Sequence, residues 1–275
     1  MGGARHFGEE PGTDAYEIAY AWHQFDRKVR SGLQAEVRDL DVLEIGCGHG
    51  GIACYVAVCG ARNIIGIDLN DESLSIASRL QSDLEERLGN ACLPIRFLEM
   101  DANDLGFPDC CLDLIIADCA FEHFTEPERP LREAFRTLRA GGRLLIPSFN
   151  SIYSKYGLHL KHGLKVPWAN VIFSEATIVR VLQRLAQDDP KIHGIYPGLG
   201  NNPVRVRDVR RHGDLNGITY RGFKRMARSA GFEIERFRKD SSRIGKIVDW
   251  VPFVHDTRLM DILSWGASAC LRKPE

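Results

Sequence analysis

The chain has 275 residues, of which 44% are hydrophobic and 27% are charged. These proportions are typical of a globular domain and exclude disorder as its main state. Its 36 basic and 37 acidic residues give a net charge of -1, which argues against the broad basic face that nucleic-acid binding normally needs.

The eight cysteines follow no pattern typical of disulfides or zinc sites. They include no CxxC pair, and Cys110 and Cys111 are adjacent, a spacing poorly suited to a structural bridge. Residues 1–14 are polar without a hydrophobic signal core, and no segment approaches the roughly 20 apolar residues that cross a bilayer. We therefore expect a reduced, cytoplasmic protein with no membrane span.

Helix and strand patterns alternate along the first 150 residues. The predicted helices cover residues 15–30, 51–60, 71–88 and 127–139, with Gly60 ending the second and Gly141 and Gly142 closing the last. The predicted strands cover residues 41–47, 63–69, 95–100, 112–117 and 143–149. This alternation indicates an α/β fold, in which a parallel sheet carries helices on both faces.

The alternation stops after residue 149 and returns near residue 219. Between them, residues 151–215 show one clear helix, over 174–186. This insertion is longer than an ordinary connection between helices and strands. A helix over 219–230, a strand over 233–237 and an apolar run over 264–271 follow. We predict an N-terminal helix and α/β core over 1–150, an inserted lid or substrate-pocket segment over 151–215, and the last core elements over 216–275.

A glycine-rich loop follows the first predicted strand. Gly46, Gly48 and Gly51 fit the GxGxxG pattern of dinucleotide sites, which leaves a nicotinamide-dependent oxidoreductase as one alternative. Glu44 precedes the loop, beside the space that a pyrophosphate would fill. A negative charge there favours a ligand with an ammonium or sulfonium group.

Four motifs occur in order along this region. They are VLEIGCGHGG at 42–51, GIDLNDESLSIA at 66–77, EMDANDLGFPDCCLDLIIA at 99–117 and EHF at 122–124. In these residues the chain resembles the class I S-adenosylmethionine-dependent methyltransferases. Residues 217–237 show a weaker resemblance to the same family. The resemblance implies a Rossmann-like seven-stranded sheet of order 3-2-1-4-5-7-6 with an antiparallel last hairpin. It also implies S-adenosyl-L-methionine as cofactor and S-adenosyl-L-homocysteine as product.

The resemblance assigns the glycine loop to the methionine part of the cofactor. Gly46 and Gly48, with Cys47 between them, would let the backbone pass under that part. Glu44 would lie near its amino group. Asp118, which with Cys119 ends the fourth strand, would lie beneath the cofactor and face the acceptor.

The ends of the second and third strands would hold the nucleoside. Asp68 would accept hydrogen bonds from both ribose hydroxyls, and Leu69 would pack on the adenine. Asp101 would accept from the adenine amino group, and the Ala102 amide would donate to a ring nitrogen. The alternatives are a helix cap for Asp68, a role for which Asp71 is better placed, and an ordinary turn carboxylate for Asp101.

Methyl transfer to a hydroxyl often needs a general base, and histidine is the usual one. His123 in the EHF motif is the first candidate, and His159 and His162 in the insertion come second. His23 on the N-terminal helix also competes. Each of these could instead be a packing or surface histidine. We expect no metal, because Cys119 stands where related metal-assisted enzymes carry a carboxylate.

Aromatic residues in the insertion allow two interpretations. Tyr153, Tyr156, Trp168 and Phe173 could form a small satellite core or a wall of the acceptor site. The leading functional hypothesis is methyl transfer to a small-molecule acceptor, at oxygen first and at nitrogen or carbon as alternatives. An RNA or protein methyltransferase is disfavoured by the neutral charge. The sequence does not settle the oligomeric state.

Overall fold

Seven strands form one sheet in this computed structural model, which describes residues 19–23, 37–124, 126–155, 157, 164, 166–188, 218–241 and 257–275. The strands are β1 (Asp41–Ile45), β2 (Asn63–Asp68), β3 (Ile95–Glu99), β4 (Leu112–Ile116), β5 (Leu138–Phe149), β6 (Glu233–Ser241) and β7 (Ser264–Arg272). Their order is β3-β2-β1-β4-β5-β7-β6, which confirms the predicted Rossmann-like sheet.

Seven helices connect or flank these strands in the described residues. They are α1 (Gly51–Val58), α2 (Asp71–Arg87), α3 (Glu128–Thr137), α4 (Ala169–Ile172), α5 (Glu175–Asp188), α6 (Tyr220–Ser229) and α7 (Arg258–Leu263). Residues 19–23 are also helical, within the predicted helix over 15–30. From β1 to α3, the predicted elements are confirmed to within two residues at each end. Helices α4 and α7 were not predicted, and β6 runs four residues further than expected.

The prediction that Gly141 and Gly142 close a helix is wrong, because both lie inside β5. Leu112 of β4 pairs with Leu138, and Leu114 pairs with Arg143, so the residues between form an irregularity in β5. Gly141 has a φ of 76°, a conformation that glycine adopts without strain. Its amide donates to the Lys273 carbonyl at 3.0 Å. The two glycines thus serve a strand bulge rather than a helix end.

The chain divides into two compact units. The first takes in the described residues up to Asp118, together with Arg132–Leu145 and Arg272–Glu275. Its core is the apolar face of β1, β2 and β4 with α1, which is buried from Gly51 to Ala57. Because buried parallel strands are covered on both faces, these strands are apolar along nearly their whole length.

The second unit takes in Cys119–Leu131 and the described residues of Ile146–Leu271. An aromatic cluster forms its core, in which the Phe149 ring lies 4.6 Å from Phe223 and 5.4 Å from Tyr220. Phe121 packs edge-on against Phe223 at 5.6 Å. The predicted domain limits at 150 and 215 stay predictions, since residues 189–217 lie outside the described residues.

Arg136 on α3 holds the connection between β3 and β4. Its guanidinium donates to the Leu105 and Phe107 carbonyls, both at 2.8 Å, and to the Asp109 carboxylate at 2.7 Å. It also bonds Glu133 at 2.8 Å, whose Oε2 accepts from the Leu105 amide at 2.9 Å. One side chain therefore fixes the loop that follows Asp101.

Arg136→Met should lower the free energy of unfolding by about 2–3 kcal/mol, because it removes charge-assisted bonds to a partly buried carboxylate and two carbonyls. The hydrogen bond from Arg136 lowers the pKa of Glu133. This contribution to stability is therefore present at pH values above the ordinary glutamate pKa. It is lost as the pH falls through the lowered pKa of Glu133. Thermal unfolding of both proteins checks the effect. Arg132→Met, on the exposed side of α3, is the control. Equal free energies of unfolding for wild type and Arg136→Met at pH 7 would contradict this prediction.

Within the described residues, no helix has the length and apolar character needed to cross a membrane.

Candidate cofactor site

The carboxyl ends of four strands lie along one edge of the sheet in the first unit. Strand β1 pairs in parallel with β2 and β4, and β2 pairs in parallel with β3. Glu44 is opposite Gly66 and Ile116, and Asp68 is opposite Glu99. This register brings the glycine loop after β1 next to the residues that follow β2, β3 and β4. Ligands of open parallel sheets bind at this edge.

The glycine loop is tied to the end of β2. The amides of Gly46 and Cys47 both donate to the Ile67 carbonyl at 2.9 Å. Gly46 and Gly48 have φ angles of 70° and 49°, in the left-handed region that side chains other than glycine rarely adopt. The sequence thus forms a tight turn that leaves the backbone of Gly48 at the strand edge.

Two glycines of the loop serve different purposes. A Cβ added at Gly48 would meet nothing within 4 Å, so open space lies beside its backbone. A Cβ added at Gly50 would lie 2.7 Å from both the Ala77 and Phe97 side chains. Gly50 is therefore required by packing, whereas Gly48 leaves room for a ligand to approach the main chain.

Asp68 connects the glycine loop to the start of α2. Its Oδ2 accepts from the Gly48 amide at 2.9 Å, and its Oδ1 accepts from the Asn70 amide at 3.0 Å. A carboxylate oxygen has two lone pairs, so each oxygen keeps the capacity to accept one ligand hydroxyl. The cap of α2 is Asn70, whose side chain accepts from the Ser73 amide at 3.0 Å. The expectation that Asp71 is better placed as cap is therefore wrong by one residue.

Leu69 provides an apolar surface beside this carboxylate. Its side chain is 68% exposed, although leucine normally favours burial. An exposed leucine directly after Asp68 fits the predicted packing against an aromatic base. This role stays a prediction.

Asp101 lies close to Asp68, because the Met100 amide donates to the Asp68 carbonyl at 3.1 Å. Its Oδ1 accepts from the backbone and side-chain amides of Asn103, both at 2.8 Å. Asp101 is therefore the turn carboxylate that the sequence left as an alternative, and its exposed side chain is accessible to a ligand as well. Ala102 is buried with 6% exposure. The adenine roles of Asp101 and Ala102 stay predictions.

Glu44 is a buried carboxylate beneath the loop, with 2% of its surface exposed. Burial and then the charge of Glu44 raise the pKa of the Cys54 thiol to about 12. The same two causes, followed by the charge of Asp68, raise the pKa of Cys47 above its usual range. Both thiols are therefore neutral at physiological pH and act as packing groups, so Cys47 is suited to shaping the loop and not to nucleophilic chemistry.

Acidic residues dominate the segments at the carboxyl ends of β1 to β4. This edge carries the carboxylates of Glu44, Asp68, Asp101 and Asp118, and no Lys or Arg occurs at 44–51, 68–70, 101–104 or 118. A pyrophosphate placed here would meet like charges at close range. The edge therefore favours a ligand that carries positive charge together with hydroxyl donors.

The helical stretch 19–23 packs against this loop. Tyr20 contacts His49 edge-on, with ring centroids 5.9 Å apart, and Arg87 of α2 lies 4.3 Å from the Trp22 ring. Sequence reasoning predicted the helix but not these contacts, because no pattern links Tyr20 to a histidine 29 positions away. His23 is exposed at the end of this stretch.

The first candidate base belongs to the second unit. His123 is exposed in the turn after β4, and its amide donates to the Ala120 carbonyl at 3.0 Å. The neighbouring residues of the EHF motif are a buried Glu122 and Phe124, whose ring contacts Phe121 at 5.1 Å. His159 and His162 lie outside the described residues.

Two features frame the end of β4. Asp118 is half-buried in the first unit. Cys119, the first residue of the second unit, has a φ of 54°, which is uncommon for a residue other than glycine. Residues with such backbone conformations cluster at functional sites. Among the described side chains, no group of three or more His, Cys, Asp or Glu could hold a metal ion.

Known proteins resemble this chain in sequence and in fold. Residues 43–146 match the family model described as a methyltransferase domain. The fatty-acid O-methyltransferase of Mycolicibacterium smegmatis is 33% identical over 42% of this chain and 39% of its own. The ubiquinone/menaquinone biosynthesis C-methyltransferase of Proteus mirabilis is 26% identical over 76% of this chain and 82% of its own.

A solved structure shares the fold. The S-adenosylmethionine-dependent methyltransferase of Mesorhizobium loti superposes with a TM-score of 0.52 and 16% identity, over 90% of this chain and 98% of its own. The chain spans 41% to 48% of the length of the first curated relatives it matches. The family match over residues 43–146 includes the carboxyl ends of β1 to β4 and the loops that follow β1 to β3, which we call the cofactor edge. In sequence over residues 43–146 and in fold, the chain is therefore similar to S-adenosylmethionine-dependent methyltransferases.

Proposed function

We propose that this protein transfers a methyl group from S-adenosylmethionine to a small-molecule acceptor, with oxygen as the accepting atom. The observation that carries the proposal is the cofactor edge of the first unit. There, the Gly48 amide donates to the Asp68 carboxylate at 2.9 Å beside open space, and Glu44 and Asp101 lie at the same edge. An ammonium, a sulfonium and a ribose diol match these groups in charge and in hydrogen bonding.

Each residue of the edge has a defined task in this proposal. Asp68 accepts from the ribose hydroxyls, and Leu69 packs on the adenine. Asp101 and the Ala102 amide bond the polar edge of the base. Glu44 stabilises the amino group from beneath the loop. When bound, the cofactor supplies an electrophilic methyl on sulfur, and the protein contributes mainly alignment and exclusion of water.

The choice of oxygen rests on a candidate base and on one relative. His123 is exposed and follows β4, and an imidazole can accept a hydroxyl proton at physiological pH. The Mycolicibacterium relative is named as an O-methyltransferase of fatty acids. The Proteus relative is named as a C-methyltransferase of quinone biosynthesis, which supports carbon as the second candidate. The net charge of -1 argues against a nucleic-acid acceptor.

His123→Ala should lower turnover on a hydroxyl acceptor by about 10²–10⁴-fold, the usual contribution of a positioned base. The affinity for S-adenosylhomocysteine should stay within about twofold, because the substitution lies outside the cofactor edge. Steady-state rates and calorimetry of the same preparation measure the two effects. His23→Ala, which removes the competing exposed histidine, should keep wild-type turnover. A His123→Ala enzyme that keeps wild-type turnover would show that the base lies elsewhere or that none is used.

The proposed reaction is tested by incubating the full chain with methyl-labelled S-adenosylmethionine and a panel of hydroxylated aromatic, quinol and fatty-acid acceptors, and in parallel with RNA and with protein acceptors. We expect label in one class of product together with S-adenosylhomocysteine. The ¹³C chemical shift of the new methyl group distinguishes attachment at oxygen from attachment at carbon. Methyl transfer only to carbon would overturn the choice of oxygen. Label found only in nucleic acid or protein acceptors would overturn the small-molecule class.

A further inference from the structure

A run of exposed apolar side chains protrudes from the second unit. Val171, Ile172 and Phe173 are 43%, 64% and 48% exposed, although they are consecutive and belong to residue types that favour burial. Val171 and Ile172 end α4, which begins after Trp168. Phe173 follows the helix and joins directly to Ser174, whose hydroxyl accepts from the Thr177 amide at the start of α5. We call residues 171–173 the apolar tip.

Helix α5, which follows the apolar tip in the chain, carries positive charge on its exposed side. Ile178 and Leu182 form its buried side, with exposures of 3% and 4%. On the outer side, Arg180 and Arg184 are exposed one turn apart, next to Val181. The outer side of α5 therefore combines two guanidinium groups with an apolar residue, in the helix that follows the apolar tip in the chain.

A lysine between two tryptophans adjoins the start of α4. The Trp168 amide donates to the Lys155 carbonyl at 2.8 Å, and its Nε1 donates to the Ile262 carbonyl at 2.6 Å. The Lys155 ammonium lies 4.4 Å from the Trp265 ring and 5.8 Å from the Trp168 ring. Trp265 is 57% exposed. These contacts fix a cation and an exposed indole ring at the base of α4.

Exposed apolar residues beside arginine, lysine and tryptophan are the groups that bind the interface of a bilayer. Aliphatic and phenyl groups enter the acyl boundary, indole rings favour the headgroup level, and cations attract anionic lipid. We propose that the apolar tip and the outer side of α5 dock this protein on the headgroup surface of an anionic phospholipid bilayer. The docking is peripheral and requires no membrane-spanning helix.

A second copy of the chain is the competing occupant, and the charges disfavour it. In a two-fold symmetric dimer the same patch meets itself. Arg180 and Arg184 would then face the same arginines across the contact, where like charges are costly. An anionic lipid surface instead neutralises both. If the proposed methyl transfer is correct, docking would also give the enzyme access to acceptors dissolved in lipid, but the docking itself does not depend on that activity.

The test is co-sedimentation of the full chain with vesicles of phosphatidylcholine alone or mixed with one quarter phosphatidylglycerol. We expect stronger binding to the mixed vesicles, and binding that weakens as salt is added. Ile172→Asp/Phe173→Asp should reduce the partition coefficient at least tenfold, because it places two charges at the acyl boundary. Arg180→Gln/Arg184→Gln should lose about fivefold per arginine on mixed vesicles and little on neutral ones.

Leu88→Asp is the matched control, since Leu88 is 46% exposed and belongs to the first unit. This variant should leave vesicle binding unchanged. Thermal unfolding and S-adenosylhomocysteine binding of each variant verify that it is folded and keep the docking result separate from the proposed activity. Absence of wild-type binding to mixed vesicles would overturn the proposal. So would full binding by Ile172→Asp/Phe173→Asp, or a wild-type dimer that this variant converts to a monomer.

Discussion

Asp68→Ala should weaken S-adenosylhomocysteine binding at least tenfold. Two hydrogen bonds from hydroxyls to a carboxylate are worth roughly 1.5–3 kcal/mol each before the costs of ordering. The variant also removes the acceptor for the Gly48 amide at 2.9 Å, so the glycine loop loses one of its hydrogen bonds to the end of β2 and keeps those of Gly46 and Cys47 to Ile67. Calorimetric titration measures the change in affinity.

Asp71→Ala is the control for this prediction. Asp71 is an exposed carboxylate in the first turn of α2, three positions from Asp68, and its removal changes the local charge equally. We expect its affinity to remain within about twofold of wild type. Asp68→Asn, which keeps an acceptor oxygen but no charge, should fall between the two. A folded Asp68→Ala protein with wild-type affinity would refute the ribose assignment.

Gly48→Ala should lower the affinity for S-adenosylhomocysteine at least tenfold, about 1.4 kcal/mol or more. Its φ of 49° is strained for an L-residue, which costs roughly 1–2 kcal/mol of stability. The added methyl group would also enter the open space beside the loop, which we assign to the methionine part of the cofactor.

Gly89→Ala separates strain from obstruction. Gly89 has a φ of 77° and, like Gly48, no atom within 4 Å of an added Cβ, but it follows α2 and lies outside the cofactor edge. We expect both variants to lose about 1–2 kcal/mol of stability and only Gly48→Ala to lose affinity. Equal affinities of the two variants in calorimetry would show that the cofactor does not approach Gly48.

The sequence predicted the sheet because two signals agreed along the first 150 residues. Apolar runs alternated with helical patterns, and the ordered motifs implied a strand order that the structure confirms. The site was predictable for a related reason. Parallel strands place their carboxyl ends at one edge, so Glu44, Asp68 and Asp101 come together once the strands are identified.

Local ambiguity explains what the sequence did not resolve. Gly141 can occupy a left-handed position at a helix end or in a bulge, and only the pairing of β5 with β4 decides between them. Asn70 and Asp71 are both good caps, so the position of the α2 cap was uncertain by one residue. The contact between Tyr20 and His49 joins separate segments and leaves no periodic signal.

The central claim is that the acidic strand edge of the first unit binds S-adenosylmethionine and not a dinucleotide. The most direct measurement is a calorimetric titration of the full chain with S-adenosylhomocysteine and, separately, with NAD. We predict saturable binding of S-adenosylhomocysteine at one site per chain and no heat of binding with NAD. Saturable binding of NAD together with no response to S-adenosylhomocysteine would contradict the assignment and support the oxidoreductase alternative.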